Sequence, residues 1–139
     1  MTTAPDDDPA LALASHNRIL PMRRGNTDAL IRIAQNGGRR VVVATLDGQG
    51  DKTDIIDTLA RAFDMPRWFG HNWDALYDCL TDLSWFPATG YVLILTGTSP
   101  DAANAPILTD LLTDCCDHWQ AEGVPFHVFT DSVVGAAPA

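Results

Sequence analysis

Between Arg67 and Phe86 the chain reads RWFGHNWDALYDCLTDLSWF, a stretch with three of its four tryptophans. His71, Asp74 and Asp78 stand at i, i+3 and i+7 there. Those residue types can ligate a metal, but the set matches no recognised ligand spacing. Asp74 is equally explained by the positive end of a helix dipole, which an early acid offsets. Two carboxylates one helical turn apart could share a proton for hydrolysis, yet no partner acid or pocket is evident. The third chemistry is binding. Asp74, Asp78 and Asp82 follow one another at i+4, a like-charge pattern that costs an isolated helix about 0.2–0.5 kcal/mol per pair. A cationic cleft built for phosphate would relieve that repulsion, with the helix standing in for the phosphates. Trp68, in a loop, and Tyr77, beside Asp78, supply the flanking aromatics of a protein-binding hot spot.

Other chemistries find little support. GRRV and GQGDK fit neither the P-loop nor the dinucleotide fingerprint. Ser15, Ser84, Ser99 and Ser132 lie in no nucleophile-elbow pattern. His16, His118 and His127 are isolated, and His127, alternating with Phe126 and Val128, reads as a strand residue at a sheet face. The cysteines, Cys79, Cys115 and Cys116, are odd in number and without a CxxC pair, which suits neither a disulfide framework nor a zinc knuckle. Buried thiols in a reducing cytoplasm are the simplest reading. The expectation is a binding protein with no enzymatic activity, no metal and no cofactor.

Composition narrows the partner. The chain has 139 residues, 46% of them hydrophobic, enough for one domain with a real core. Its formal net charge of -9 repels a nucleic-acid backbone and attracts a basic protein. No apolar run exceeds strand length, so no membrane span is expected, and MTTAPDDDPALALASHNR lacks the pattern of a secretory signal.

These side chains must be held by the elements around them. Residues 1–26 read as a flexible tail rich in Ala, Pro and Asp, with Ile19 to Met22 too short to assign. A helix over 27–36, capped by Asn26 or Thr27, ends at Gly37 and Gly38. Val41 to Leu46 is a β-branched run that reads as a strand buried on both faces. Asp51 caps a helix carrying Ile55, Ile56, Leu59, Ala60 and Phe63 inward, stopped by Pro66. Asn72 caps the next, with a stripe of Trp73, Leu76, Tyr77, Leu80 and Leu83. Trp73 and Trp119 read as core, and Trp85 is ambiguous. YVLILTG is a second strand. A long helix follows with Ile107, Leu108, Leu111, Leu112, Cys115 and Trp119 inward, then the strand VPFHVFT; residues 134–139 fray. Long crossovers between apolar strands predict an α/β fold with a small parallel sheet and right-handed connections. The domain spans 27–133, with a core of 39–130.

PRWFGHNWDALYDCLTDL resembles the barstar family of intracellular ribonuclease inhibitors. Pro66, Trp68, Phe69, Gly70, Asn72, Asp74, Ala75, Leu76, Tyr77, Asp78, Cys79 and Leu80 fill the family pattern. The resemblance implies a three-stranded parallel sheet covered by helices, and an inhibitor that plugs the active site of a basic ribonuclease. The alternative is a module of the same fold that binds a different basic protein. Trp68 takes the place of a contact tyrosine. Asn72, Asp74, Tyr77 and Asp78 fall on contact positions, with Asp78 as the key carboxylate in a phosphate subsite. With Phe69, Thr81 and Asp82 these residues form the expected partner-binding set. Residues 1–38 lie outside the short form of the family. Aligned on Ala121 to Gly123, the acidic contact of the last helix falls on His118, with Asp114 and Asp117 nearby but rotated. Arg67 adds a positive charge beside the loop, and Tyr77 stands where the best-known member has tryptophan.

Overall fold

The computed structural model describes residues 9–23 and 25–131. Its elements run α1 (Pro9–Ala14), β1 (Ile19–Pro21), α2 (Thr27–Asn36), β2 (Arg40–Leu46), α3 (Lys52–Ala62), α4 (Trp73–Leu80), β3 (Tyr91–Gly97), α5 (Ala105–Ala121) and β4 (Phe126–Thr130). The strands form one parallel sheet in the order β1-β4-β3-β2.

β3 lies inside the sheet, and Tyr91 to Leu95 are all buried. Successive side chains point to opposite faces of a strand, so this run feeds two cores. Leu93 and Leu95 join Val42, Ala44, Leu46, Phe126 and Val128 beneath α3, α4 and α5. Val92 and Ile94 join Phe129 and Leu20 beneath α1 and α2, which add Leu13, Leu30 and Ala34. β2 departs from the expectation of burial on both faces. Val42, Ala44 and Leu46 are buried, but Val43 and Thr45 are exposed. β2 is an edge strand, and only its Val41 packs against the core under α1 and α2.

The expected three-stranded sheet has a fourth strand. Ile19, Leu20 and Pro21 pair with Val128, Phe129 and Thr130 of β4. Pro21 is tolerated because an edge strand leaves one side of its backbone unpaired. Within the expected tail, α1 and β1 are therefore ordered parts of the fold, with Ala12, Leu13 and Leu20 buried. Three residues carry no readable period, and their pairing partner lies more than a hundred positions away, so local pattern does not reveal it. Residues 1–8, the rest of that tail, and the fraying segment 134–139 lie outside the described residues.

The turns that end the strands are tight. Gly97 has φ +96°, and a Cβ there would overlap the carbonyl of Leu46 across the β2–β3 pair. Only glycine fits both conditions.

Candidate protein-binding site

The site is built on the junction between α3 and α4. Asp51 accepts from the backbone N–H of Asp54 at 2.9 Å and starts α3 as expected. The helix closes at Ala62, with Phe63 at its C-cap and fully buried. The chain then turns through 64–72. The Phe69 N–H donates to the Pro66 carbonyl at 3.0 Å, a tight turn that drives neighbouring aromatics in opposite directions. Trp68 is 71% exposed, whereas Phe69 is 4% exposed. Phe69 therefore moves from the expected contact set into the core beneath it, where it anchors the loop. His71 takes a left-handed backbone (φ 52°), sets its ring 4.8 Å from that of Phe69 at a tilt of 50°, and places Nδ1 3.2 Å from Asp57 Oδ1 on α3.

Asn72 then starts α4. Its Oδ1 accepts from the Ala75 N–H at 2.8 Å, and its Nδ2 donates to the Gly70 carbonyl at 3.3 Å. This N-cap satisfies one of the helix's orphan donors and ties the loop to the helix. Leu76, Cys79 and Leu80 face the core. Asp74 and Asp78 face solvent. Asp74 stands in the first turn, where the helix dipole favours it. Asp78 has no such compensation. Among the described residues neither carboxylate has a cation within salt-bridge distance.

Across from this face runs α5. Trp119 donates its indole N–H to the Leu80 carbonyl at 2.8 Å, fixing α5 against the end of α4. Between the helices is an open cleft of about 570 Å³, lined by Trp73, Asp74, Tyr77, Asp78, Leu111 and Asp114. Tyr77 is half-buried in its wall. Burial first, and then Cys115, Asp114 and Asp78, push its hydroxyl above the usual range. The cleft is thus an acidic groove with an aromatic wall, and the loop that leads into α4 carries an exposed indole. Such a surface suits a cationic group that also presents a flat face.

The family model for barstar, described as the barnase inhibitor, matches residues 39–131. The chain belongs to the barstar family. The match includes the α3–α4 loop, α4 and α5 and leaves α1, β1 and α2 outside. No curated protein matches the chain in a sequence search.

Within the barstar domain, the remaining expected contacts separate. α4 ends at Leu80, so Asp82 does not continue the acidic row on the helix; it is exposed and accepts from the Ser84 hydroxyl at 3.2 Å. Leu83, past the end of the helix, adopts φ 52° and is buried at 1% exposure. Its apolar side chain reaches the core by leaving the helix. Thr81 is the C-cap residue, and its hydroxyl donates back to the Tyr77 carbonyl at 2.8 Å. That hydroxyl is occupied within the barstar domain itself. Trp73 and Trp119 are half-buried against the core, as expected. Trp85, which the sequence left open, donates its indole N–H to the Phe63 carbonyl at 3.0 Å and pins the segment after α4.

Asp114, expected to be rotated out of the contact face, lines the same cleft as Asp74 and Asp78. It stands three residues after Leu111, another cleft residue, and so shares its helix face. His118, one turn further on, is half-buried with its ring edge-on to Trp119 at 5.1 Å. Ile107, expected inward on α5, is exposed. His71 pairs with Asp57, and among the described residues no group of three or more His, Cys, Asp or Glu is placed to hold a metal ion. No helix among the described residues is long and apolar enough to cross a membrane.

Proposed function

We propose that this protein inhibits a basic ribonuclease by binding over its active site, acting as a stoichiometric plug and not as a catalyst. The reading rests on one observation: Asp74 and Asp78 stand exposed on α4 without a cationic partner among the described residues, after a loop that exposes Trp68, inside the span that matches the barnase-inhibitor family. An active site that binds RNA phosphates presents cationic side chains in a concave surface. Asp78 enters the phosphate position, Asp74 and Asp114 flank it, and Trp68 covers an apolar or guanidinium surface at the rim. Asn72 holds the start of α4 so that these groups arrive in fixed geometry, which reduces the ordering cost of association. The net charge of -9 steers the encounter. No metal or cofactor takes part, and the nucleic acid itself is not a ligand. The cytoplasm, where such an inhibitor protects the cell that makes the nuclease, is the compartment that fits.

The test is titration of a small basic ribonuclease of the barnase type with the purified protein while RNA cleavage is followed. The expected result is a linear loss of activity reaching zero at one equivalent. His118, at the position where resemblance places an acidic contact, favours a second reading: the same face binds a different basic protein. Undiminished cleavage at a large excess of the protein, across several basic ribonucleases, contradicts the first reading and selects the second.

A further inference from the structure

His127 lies at the joint between the barstar domain and the segment preceding it. It belongs to β4, beside the strand pair that β1 makes, and is 1% exposed. Its Nε2 is 3.0 Å from the Ser15 carbonyl oxygen, in the link between α1 and β1. A carbonyl only accepts, so Nε2 carries the proton and the neutral ring keeps its lone pair on Nδ1. Nδ1 is buried and has no partner.

A second proton would have to go to that atom. It would create a buried donor without an acceptor and a buried charge without a counter-charge, both strongly unfavourable. The charged groups that face the ring are Arg39, just before β2, and Arg18, before β1. The adjoining cavity of about 240 Å³ has walls from α1 (Leu13, Ala14) and α5 (Gln120), and none of its described lining residues is a carboxylate. Burial pushes the imidazole below its usual range; the Ser15 and His16 backbone contacts oppose this, while Arg39 and Arg18 reinforce it.

We propose that His127 is a pH-sensitive latch, which helps to hold the α1–β1 segment on the barstar domain at neutral pH, beside the Asn17 bonds and the β1–β4 pairing, and loosens it as the pH falls. Release hydrates the ring and lets Nδ1 take its proton in water. It also frees the edge of β4 and uncovers Leu13, Leu20 and Phe129, which α1 and β1 now bury. For an imidazole whose docked pKa is lowered, the undocked state binds more protons. Docking is therefore undiminished above about pH 6.5, the free imidazole value, and weakens on descent toward the docked value by up to about tenfold per pH unit.

The experiment is amide hydrogen exchange of the full chain, read by mass spectrometry and corrected for the intrinsic pH dependence of exchange. Between about pH 7.5 and about pH 5, opening of peptides covering 10–22 is expected to rise by up to roughly thirtyfold, while the β3 peptide stays protected. His127→Gln, which keeps a donor for Ser15 and cannot be protonated, is expected to lose that rise. A parent protein without the rise, a rise retained in His127→Gln, or opening of 10–22 and β3 together overturns the latch. If His127→Gln does not fold, imidazole NMR of the parent decides: titration of His127 below pH 6.5 supports the latch, and titration at or above it overturns the latch.

Discussion

Asn17 and Asp78 are both polar side chains placed by the same fold, and the protein uses them in opposite ways. Asn17 is buried, with its side-chain amide and its backbone N–H satisfied internally. Its Nδ2 donates to the Val124 carbonyl at 2.8 Å and the Cys116 carbonyl at 3.3 Å, its Oδ1 accepts from the Phe126 N–H at 2.9 Å, and its own N–H donates to Gln120 Oε1 at 2.7 Å. Asp78 is exposed, next to another carboxylate, and has no cation in reach among the described residues. Satisfied buried groups specify a unique packing. Unsatisfied charges on a rigid helix do nothing for the packing and remain open to a second molecule. The first region completes the fold, and the second is the face that we propose a partner completes.

The comparison can be broken at either end. The largest effect is expected at Asp78→Ala, which removes one side of a charge pair that becomes buried in the complex. Affinity for the proposed nuclease partner should fall by about 3–5 kcal/mol in calorimetry. The unfolding midpoint should hold or rise slightly, because helix repulsion is relieved. Asn17→Ala should show the opposite profile. It orphans the Phe126 N–H and removes a donor from two carbonyls, so chemical denaturation should show a loss of about 1–3 kcal/mol or more, while partner affinity in the folded fraction stays unchanged. Asn72→Ala sharpens the contrast because Asn72 belongs to both regions, as the N-cap of α4 and a member of the contact face. Its truncation should cost about 0.5–2 kcal/mol of stability together with a smaller loss of affinity than at Asp78. If Asn17→Ala weakened binding as much as Asp78→Ala did, the division into a self-completing and an open region would be wrong.

Much of the open region was legible in the sequence because its determinants are local. Asp51 and Asn72 cap α3 and α4 through acceptors three residues from their donors, and the core stripe Leu76 to Leu80 follows the helical period. Where local rules compete, the reading slipped. Asn26 stands at the N-cap of α2 but its side chain caps nothing. Leu83 continues the helical period of α4 yet reaches the core past the end of the helix. Trp68 and Phe69 are equivalent in type, and only the turn from Pro66 separates an exposed indole from a buried ring. The self-completing region was hardly legible. Leu20 pairs with Phe129 and Asn17 bonds to Phe126, contacts that close only in three dimensions. Asp114 joins Asp74 and Asp78 for the same reason: α5 and α4 meet through packing, which helical period within one segment does not encode.

The central claim is that the acidic face of α4 exists to meet a cationic cleft, and association kinetics test it most directly. With the proposed nuclease partner, the on-rate should fall steeply as salt rises from about 0.1 M to about 1 M, where the screening length shrinks from about 10 Å to about 3 Å, and the off-rate should change far less. Asp74→Asn with Asp78→Asn should flatten that dependence. An on-rate of the parent protein that stays level across the salt series would contradict the claim.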